Sequence, residues 1–420
     1  MTEPENAPRN AQRDAAEIAP VPRISLQAFC ETSDLAAVIA DASADRRMDK
    51  AHVKVQMGGA AAAIEAYRNA PTPNVIVIEA DRERGELREQ LDELSQFCDA
   101  GTRVVVVGRT NDIALYRELI ALGVSEYLIA PIDVLDFIRA ISGLYGSEGR
   151  ENIARMVAFV GAKGGVGASC IAHNAAWSIA RDLEIQTVIA DLDLAFGTAG
   201  LDFNQDPPQG IADAVYAPDR VDTNLIDRLL SKCTDRLSLL AASATLERTY
   251  DFDENAFDLV IDIMRSNVPA IVLDVPHAWT SWSRRVLAGA DEVVVVASPD
   301  LANLRNAKSL IDHLRAARPN DQKPHLVLNG VGMLKRPEID AVDFAKAVET
   351  DPLAIIPFDA KLFGTAANNG QMIAEVEAAS KPAEMLADIG RVVMRRAEIK
   401  RPKKTLLAPI MQRLVKRKAS

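Results

Sequence analysis

The chain has 420 residues, 48% hydrophobic and 25% charged, enough apolar material for two or three cored domains. Its net charge of −11 argues against sequence-independent DNA binding, which needs many phosphate-neutralising contacts. Cys30, Cys98, Cys170 and Cys233 lie far apart with no C-x-x-C pair, so the four cysteines suggest neither a disulfide framework nor a zinc site but reduced thiols.

Residues 1–22 are rich in Ala, Pro, Asn and charge, and their composition predicts disorder. Glu3, Glu5 and Asp14 with no apolar stretch between them do not make a secretory signal. No apolar run in the chain approaches the ~20 residues that span a bilayer. A first block, 23–146, alternates short apolar runs with helical patterns. Strands are predicted over 24–29, 53–56, 75–79, 103–108 and 126–129, with a helix over 113–122. Such alternation predicts a parallel sheet covered by helices on both faces. The polar, glycine-containing stretch 147–155 reads as a linker.

The second block, 156–396, repeats the alternation on a larger scale. Its apolar runs "MVAFVG", "TVIAD", "LSLLAA", "AIVLDV", "EVVVVAS", "HLVLNG" and "LAIIPF" are continuous rather than alternating. That pattern fits strands buried on both faces. The first run leads into "GAKGGVGASC", residues 161–170, and a helical pattern follows over 168–182. A glycine loop between a buried strand and a helix offers inward-pointing N–H groups and a positive helix end, which suits phosphate. Taken without that context it would read as a tight turn.

The loop resembles the K-G-G-x-G-K-[ST] signature of the MinD/ParA superfamily of ATPases. Lys163, Gly164, Gly165, Val166 and Gly167 match its first half. The resemblance implies that Lys163 reaches a partner subunit's ATP, and that the Ser169 hydroxyl serves Mg2+. Ala168 stands where the in-loop lysine is expected, and Cys170 where a second Thr is common. A hydrogen bond to a charged group is worth about 1.5–3 kcal/mol, so losing that lysine weakens phosphate binding by roughly ten- to a hundredfold. Hydrolysis suffers more, because one electrostatic stabiliser is worth about 10²–10³ in rate.

Further segments continue the resemblance in order. "VIADLDLAFG" ends a strand in Asp191-x-Asp193, a pair suited to metal coordination and to orienting water. The resemblance places Asp191 near the metal and gives Asp193 the water. "AIVLDVPHAW" ends in Asp274, a second metal-side carboxylate, with His277 and Ala278 in place of the usual small residue and glycine. The His277 ring reads as a loop side chain that fills space. Asn329 in "HLVLNG" and Pro357 in "IIPFD" match the family's adenine-side positions. A nitrogenase-iron-type member would need cluster cysteines, and neither Cys170 nor Cys233 sits in a suitable loop.

The first block resembles a response-regulator receiver domain with its phosphorylation chemistry altered. Glu79 stands at the phosphoacceptor position, Gly108 at the Ser/Thr position and Ala130 at the lysine of "GVSEYLIAPID". A degenerate receiver before a MinD-like ATPase resembles the CpaE/TadZ family of pilus-assembly proteins. The fold expectation is therefore α/β, with two doubly wound parallel-sheet domains. The first is receiver-like (flavodoxin-like) over 23–146, and the second is a P-loop, MinD-like domain over 156–396.

The stretch 397–420 is strongly basic. Leu406, Ile410 and Leu414 form one row and Leu407, Met411 and Val415 another, with Arg413, Lys416 and Arg417 beside them. This predicts a basic amphipathic helix suited to an anionic membrane surface. The functional expectation is an ATP- and Mg2+-binding factor that dimerises with ATP and turns over slowly or not at all. By resemblance it localises and helps assemble a Flp/Tad type pilus apparatus. Its implied partners are a motor ATPase, inner-membrane platform proteins and a polar-localisation factor met through the receiver-like domain. Its expected place is cytoplasmic, peripheral on the inner membrane and at a cell pole. Nucleic acid is not expected as a partner. The rival readings are a nucleotide-independent scaffold and a ParA-like partitioning ATPase.

Overall fold

The computed structural model describes residues 18–80, 84–145, 154–242, 246 and 249–396. The basic tail, most of the linker and residues 1–17 lie outside the described residues. Residues 18–22, grouped by composition with the disordered N-terminus, are packed: Ile18 and Val21 are buried in the first core.

The first sheet holds β1 (Ile24–Cys30), β2 (Ala51–Met57), β3 (Val75–Glu79), β4 (Arg103–Gly108) and β5 (Glu126–Ile129). Its order is β2-β1-β3-β4-β5 and all neighbours are parallel, the flavodoxin-like arrangement. The central β3 is buried at every position, whereas the edge strand β2 is largely exposed. One face carries the helices Ser33–Ser43 and Val134–Leu144 through Leu35, Ile39, Phe137 and Ile141. The other carries Gly59–Tyr67, Arg84–Ser95 and Ile113–Ala121 through Ile64, Leu91 and Leu119.

The altered receiver positions are filled by structural contacts. The Glu79 carboxylate accepts from Glu31 N at 2.7 Å, Thr32 N at 2.8 Å and Thr32 Oγ1 at 2.7 Å, tying β3 to the turn after β1. A Cβ on Gly108 would lie 2.5 Å from the Tyr127 hydroxyl, which crosses that space to donate to Thr110 O at 3.0 Å.

The second sheet is built from β6 (Arg155–Gly161), β7 (Thr187–Asp191), β8 (Leu230–Lys232), β9 (Leu237–Leu240), β10 (Ala270–Val275), β11 (Glu292–Ala297), β12 (His325–Val331) and β13 (Pro352–Pro357). Its order is β13-β12-β11-β6-β10-β7-β9-β8, parallel except for the antiparallel β8–β9 pair at one edge. The seven apolar runs are all strands. β8 is the addition, three residues running straight on from the helix Thr223–Leu229. Helices Asp258–Asn267, Ser281–Gly289, Leu301–Ala317 and Ala341–Val348 cover one face. Helices Ala168–Asp182, Ala360–Asn369 and Lys381–Val393 cover the other. Burial of strands on both faces explains why their sequences read as unbroken apolar runs. No helix among the described residues is long and apolar enough to cross a membrane.

The two sheets are joined by a buried charge network. The 3-10 turn Arg46–Met48, just before β2, inserts two arginines at the amino-terminal edge of the second sheet. Arg46 pairs with Asp321 at 2.7 Å and with Asp291 at 2.9 Å. Arg47, wholly buried, pairs with Asp45 at 2.8 Å and also with Asp321. Asn320 Nδ2 donates to Asp45 at 2.9 Å. Asp291 also accepts from Met156 N and pairs with Arg265. Burial works against its charge, but Arg265, Arg46 and the Met156 amide hold its carboxyl well below the usual range. Arg285–Asp49 at 2.7 Å and Lys50–Asp262 at 2.6 Å flank this core on the exposed side.

Candidate nucleotide site

The glycine loop leaves the carboxyl end of central β6, between β11 and β10. This is where ligands sit in open α/β sheets. Gly167 caps the following helix at φ +84°, left-handed backbone that a side chain disfavours. Three side chains from three other segments hold the loop's carbonyls. His277 Nδ1 lies 3.0 Å from Gly161 O and must donate there, since a carbonyl only accepts. Asn306 Nδ2 donates to Ala162 O at 2.9 Å, and Asn329 Nδ2 to Val166 O at 2.8 Å. These three contacts tie the loop's carbonyls to the segments after β10 and β11 and to β12 itself.

The sequence-selected residues converge here. Lys163, Gly164 and Gly165 are exposed on the loop's outer side, and Val166 is buried beneath it. The Lys163 charge helps lower the Asp300 carboxyl, although burial raises it and the Asn303 hydrogen bonds contribute first to the lowering. Ala168, Ser169 and Cys170 form the half-buried first turn of the helix. Burial, with Asp202 nearby, pushes the Cys170 thiol up to about 12, away from the reactive thiolate. Asn329 sits against the loop rather than apart from it. Pro357 ends β13 on the same side of the sheet.

Asp191 ends β7 and is paired in register with Asp274, the last residue but one of β10, and both are buried. Asp191 accepts from Asp193 N at 3.0 Å and Ala199 N at 3.1 Å. Burial and the Asp274 charge raise its carboxyl to about 7, despite His173 and those two amides. Among the described residues no cluster of three His, Cys, Asp or Glu side chains forms. Two crowded carboxylates without a protein-only cage fit Mg2+, which keeps water and phosphate oxygens as ligands. The Asp193 carboxylate accepts from Phe196 N at 3.1 Å and so shapes the turn after β7.

Sequence reasoning passed over His173. It lies on the helix Ala168–Asp182, fully buried, with Nδ1 2.6 Å from Asp202 Oδ2. Its Nε2 is 3.2 Å from Asp274 Oδ2, at ion-pair distance but without hydrogen-bond alignment, so the Asp202 contact is the stronger. Burial disfavours the charged ring, but Asp202 and Asp274 outweigh it and raise it to about 10. A histidine on a buried helix face gives no signal in one sequence, because its partners lie 29 and 101 residues away.

No family model matches the chain. MinD, the septum site-determining protein of Helicobacter pylori, is 25% identical over 240 residues, 55% of this chain and 88% of its own. The solved ParA family ATPase from Chlorobium tepidum is 26% identical, with TM-score 0.52, over 57% of this chain and 98% of that one. The solved pilus assembly protein CpaE from Caulobacter crescentus is 50% identical over 97% of that chain and 30% of this one, TM-score 0.30, in the N-terminal part. The chain belongs to the CpaE-type branch of the MinD/ParA superfamily. Within that superfamily its glycine loop, the Asp191/Asp274 pair and the receiver-like first sheet fall into one frame.

Proposed function

We propose that this CpaE-type chain binds Mg-ATP chiefly to join two subunits in pilus assembly, and hydrolyses it slowly or not at all. The observation that carries this reading is a glycine loop held in shape by His277, Asn306 and Asn329 while Ala168 occupies the lysine slot. The backbone of Gly164 to Ser169 would hold the phosphates. Ser169, Asp191 and Asp274 would serve Mg2+, which neutralises the phosphate charge when bound. Asp193 would orient water in any turnover. Asn329 and the backbone at Pro357 would lie toward adenine.

Lys163 would act on the partner's nucleotide. Large apolar residues support that meeting of subunits. Phe196, Trp279, Leu301 and Leu334 are 52–90% exposed and lie beyond the carboxyl ends of β7, β10, β11 and β12, the edge that carries the loop. Exposed apolar side chains gathered on one edge mark an interaction face.

We also propose the division into a receiver-like unit (23–146) and an ATPase unit (156–396). The motor ATPase and platform proteins of a Flp/Tad type apparatus, a polar factor on the receiver-like unit and an anionic membrane surface under the tail are the proposed partners. The proposed place is cytoplasmic, peripheral on the inner membrane at a pole. The test combines nucleotide titration with sizing, with and without Mg-ATP. Binding in the micromolar range with a shift to dimer is expected, and Lys163→Ala should bind while failing to dimerise. Absence of binding at millimolar Mg-ATP would sink the reading and leave a nucleotide-independent scaffold.

A further inference from the structure

His173 touches two carboxylates that belong to different segments of the chain. Asp274, the last residue but one of β10, is paired with Asp191 on the proposed metal side of the site. Asp202 ends the short helix Ala199–Asp202, which closes the segment that begins at Asp193. That segment is anchored at two places: Ala199 N on Asp191 Oδ2 at 3.1 Å, and Asp202 on His173 Nδ1 at 2.6 Å. The helix carrying His173 begins at the glycine loop itself. One ring nitrogen is hydrogen-bonded to Asp202 and the other lies 3.2 Å from Asp274 Oδ2, so a single side chain bridges the two segments. Among the described residues no lysine or arginine lies at ion-pair distance from Asp202 or Asp274. The Phe203 ring packs beside the imidazole, 5.5 Å away by centroids, and His173 is fully buried.

We propose that His173 is a positioning residue for the metal side of the site: it fixes Asp274 and fastens the 193–202 segment to the glycine-loop helix through Asp202. A core histidine with no such role would support folding alone. It would affect nucleotide with and without metal alike. The positioning role acts through Asp274 and therefore affects the metal-dependent part.

This inference rests on the Mg-ATP reading above. Its test uses the full chain, a fluorescent ATP analogue as probe, and titrations with Mg2+ and with EDTA. In His173→Gln a single amide nitrogen replaces the two ring nitrogens that lie against Asp202 and Asp274 on separate sides. The expected result is that the tightening by Mg2+ falls about tenfold, while affinity in EDTA stays within about twofold. Asp202→Asn, which leaves both metal-side carboxylates in place, is expected to lower the Mg2+ tightening in the same direction by a smaller factor. It carries the test if His173→Gln does not fold. An unchanged Mg2+ dependence in the folded variants overturns the proposal. So does an equal loss in both conditions. If the unaltered chain binds no nucleotide, the proposed function falls and this inference with it. That result is distinct from a parent that binds and variants that match it.

Discussion

Replacing Arg47 by alanine tests the joint between the two sheets. The side chain is wholly buried, with Nη1 on Asp45 at 2.8 Å and Nη2 on Asp321. Removing one partner of a buried pair costs about 3–5 kcal/mol, because the other charge is left desolvated. Here the orphans keep company. Asp321 retains Arg46 at 2.7 Å and Arg318 at 3.1 Å, and Asp45 retains the Asn320 amide at 2.9 Å. The expected loss therefore lies at the low end, about 3 kcal/mol. Urea unfolding of the full chain measures it. All three tryptophans, Trp177, Trp279 and Trp282, lie beyond residue 156, so their fluorescence follows the second sheet while circular dichroism follows both. In the parent the two signals should coincide; in Arg47→Ala they should separate as the units uncouple. A loss below about 1 kcal/mol with coincident transitions would show that the joint is solvated and would refute the reasoning.

Glu292 should make stability acid-sensitive. Burial raises its carboxyl, but His325, Arg155 and Arg395 outweigh that and lower it from the usual 4.5 to about 2. A depressed carboxyl stabilises fully above the unfolded value and loses its contribution as pH falls from about 4.5 to about 2, here on the order of 3 kcal/mol. Urea midpoints against pH should show the loss, reduced in Glu292→Gln. Ala168→Lys should tighten ATP by roughly ten- to a hundredfold in calorimetric titration. Gly197→Ala should destabilise by about 1–3 kcal/mol in thermal unfolding, because a Cβ there collides with Asp191 Oδ2 and lies 2.6 Å from Ala242 Cβ.

The strands of both sheets were legible because burial leaves a local trace. β3, β4, β7 and β10 have the same limits as the runs that announce them, or nearly so. β8 left no trace, being three residues of Leu-Ser-Lys at an edge. The glycine loop and its two carboxylates were legible as motifs. Their supports were not. His277, read as filling space, braces Gly161 O, and Asn306 drew no notice in a polar helix. Arg46 and Arg47 read as an ordinary charged turn, yet one is fully buried. Each of these roles depends on a partner more than 100 residues away or on another sheet, and single-sequence periodicity carries no such information.

The arginine turn meets the second sheet at its amino-terminal edge, opposite the edge that carries the glycine loop and its exposed apolar residues. Two chains joined loop to loop would therefore carry their receiver-like units outward, one at each end. Such a pair would present two receiver-like heads. A partner array that presents docking points at a matching interval would retain the pair far more strongly than a single chain, with no new contact made. Nucleotide would then govern residence on the array through valency rather than through any change in the receiver-like unit itself.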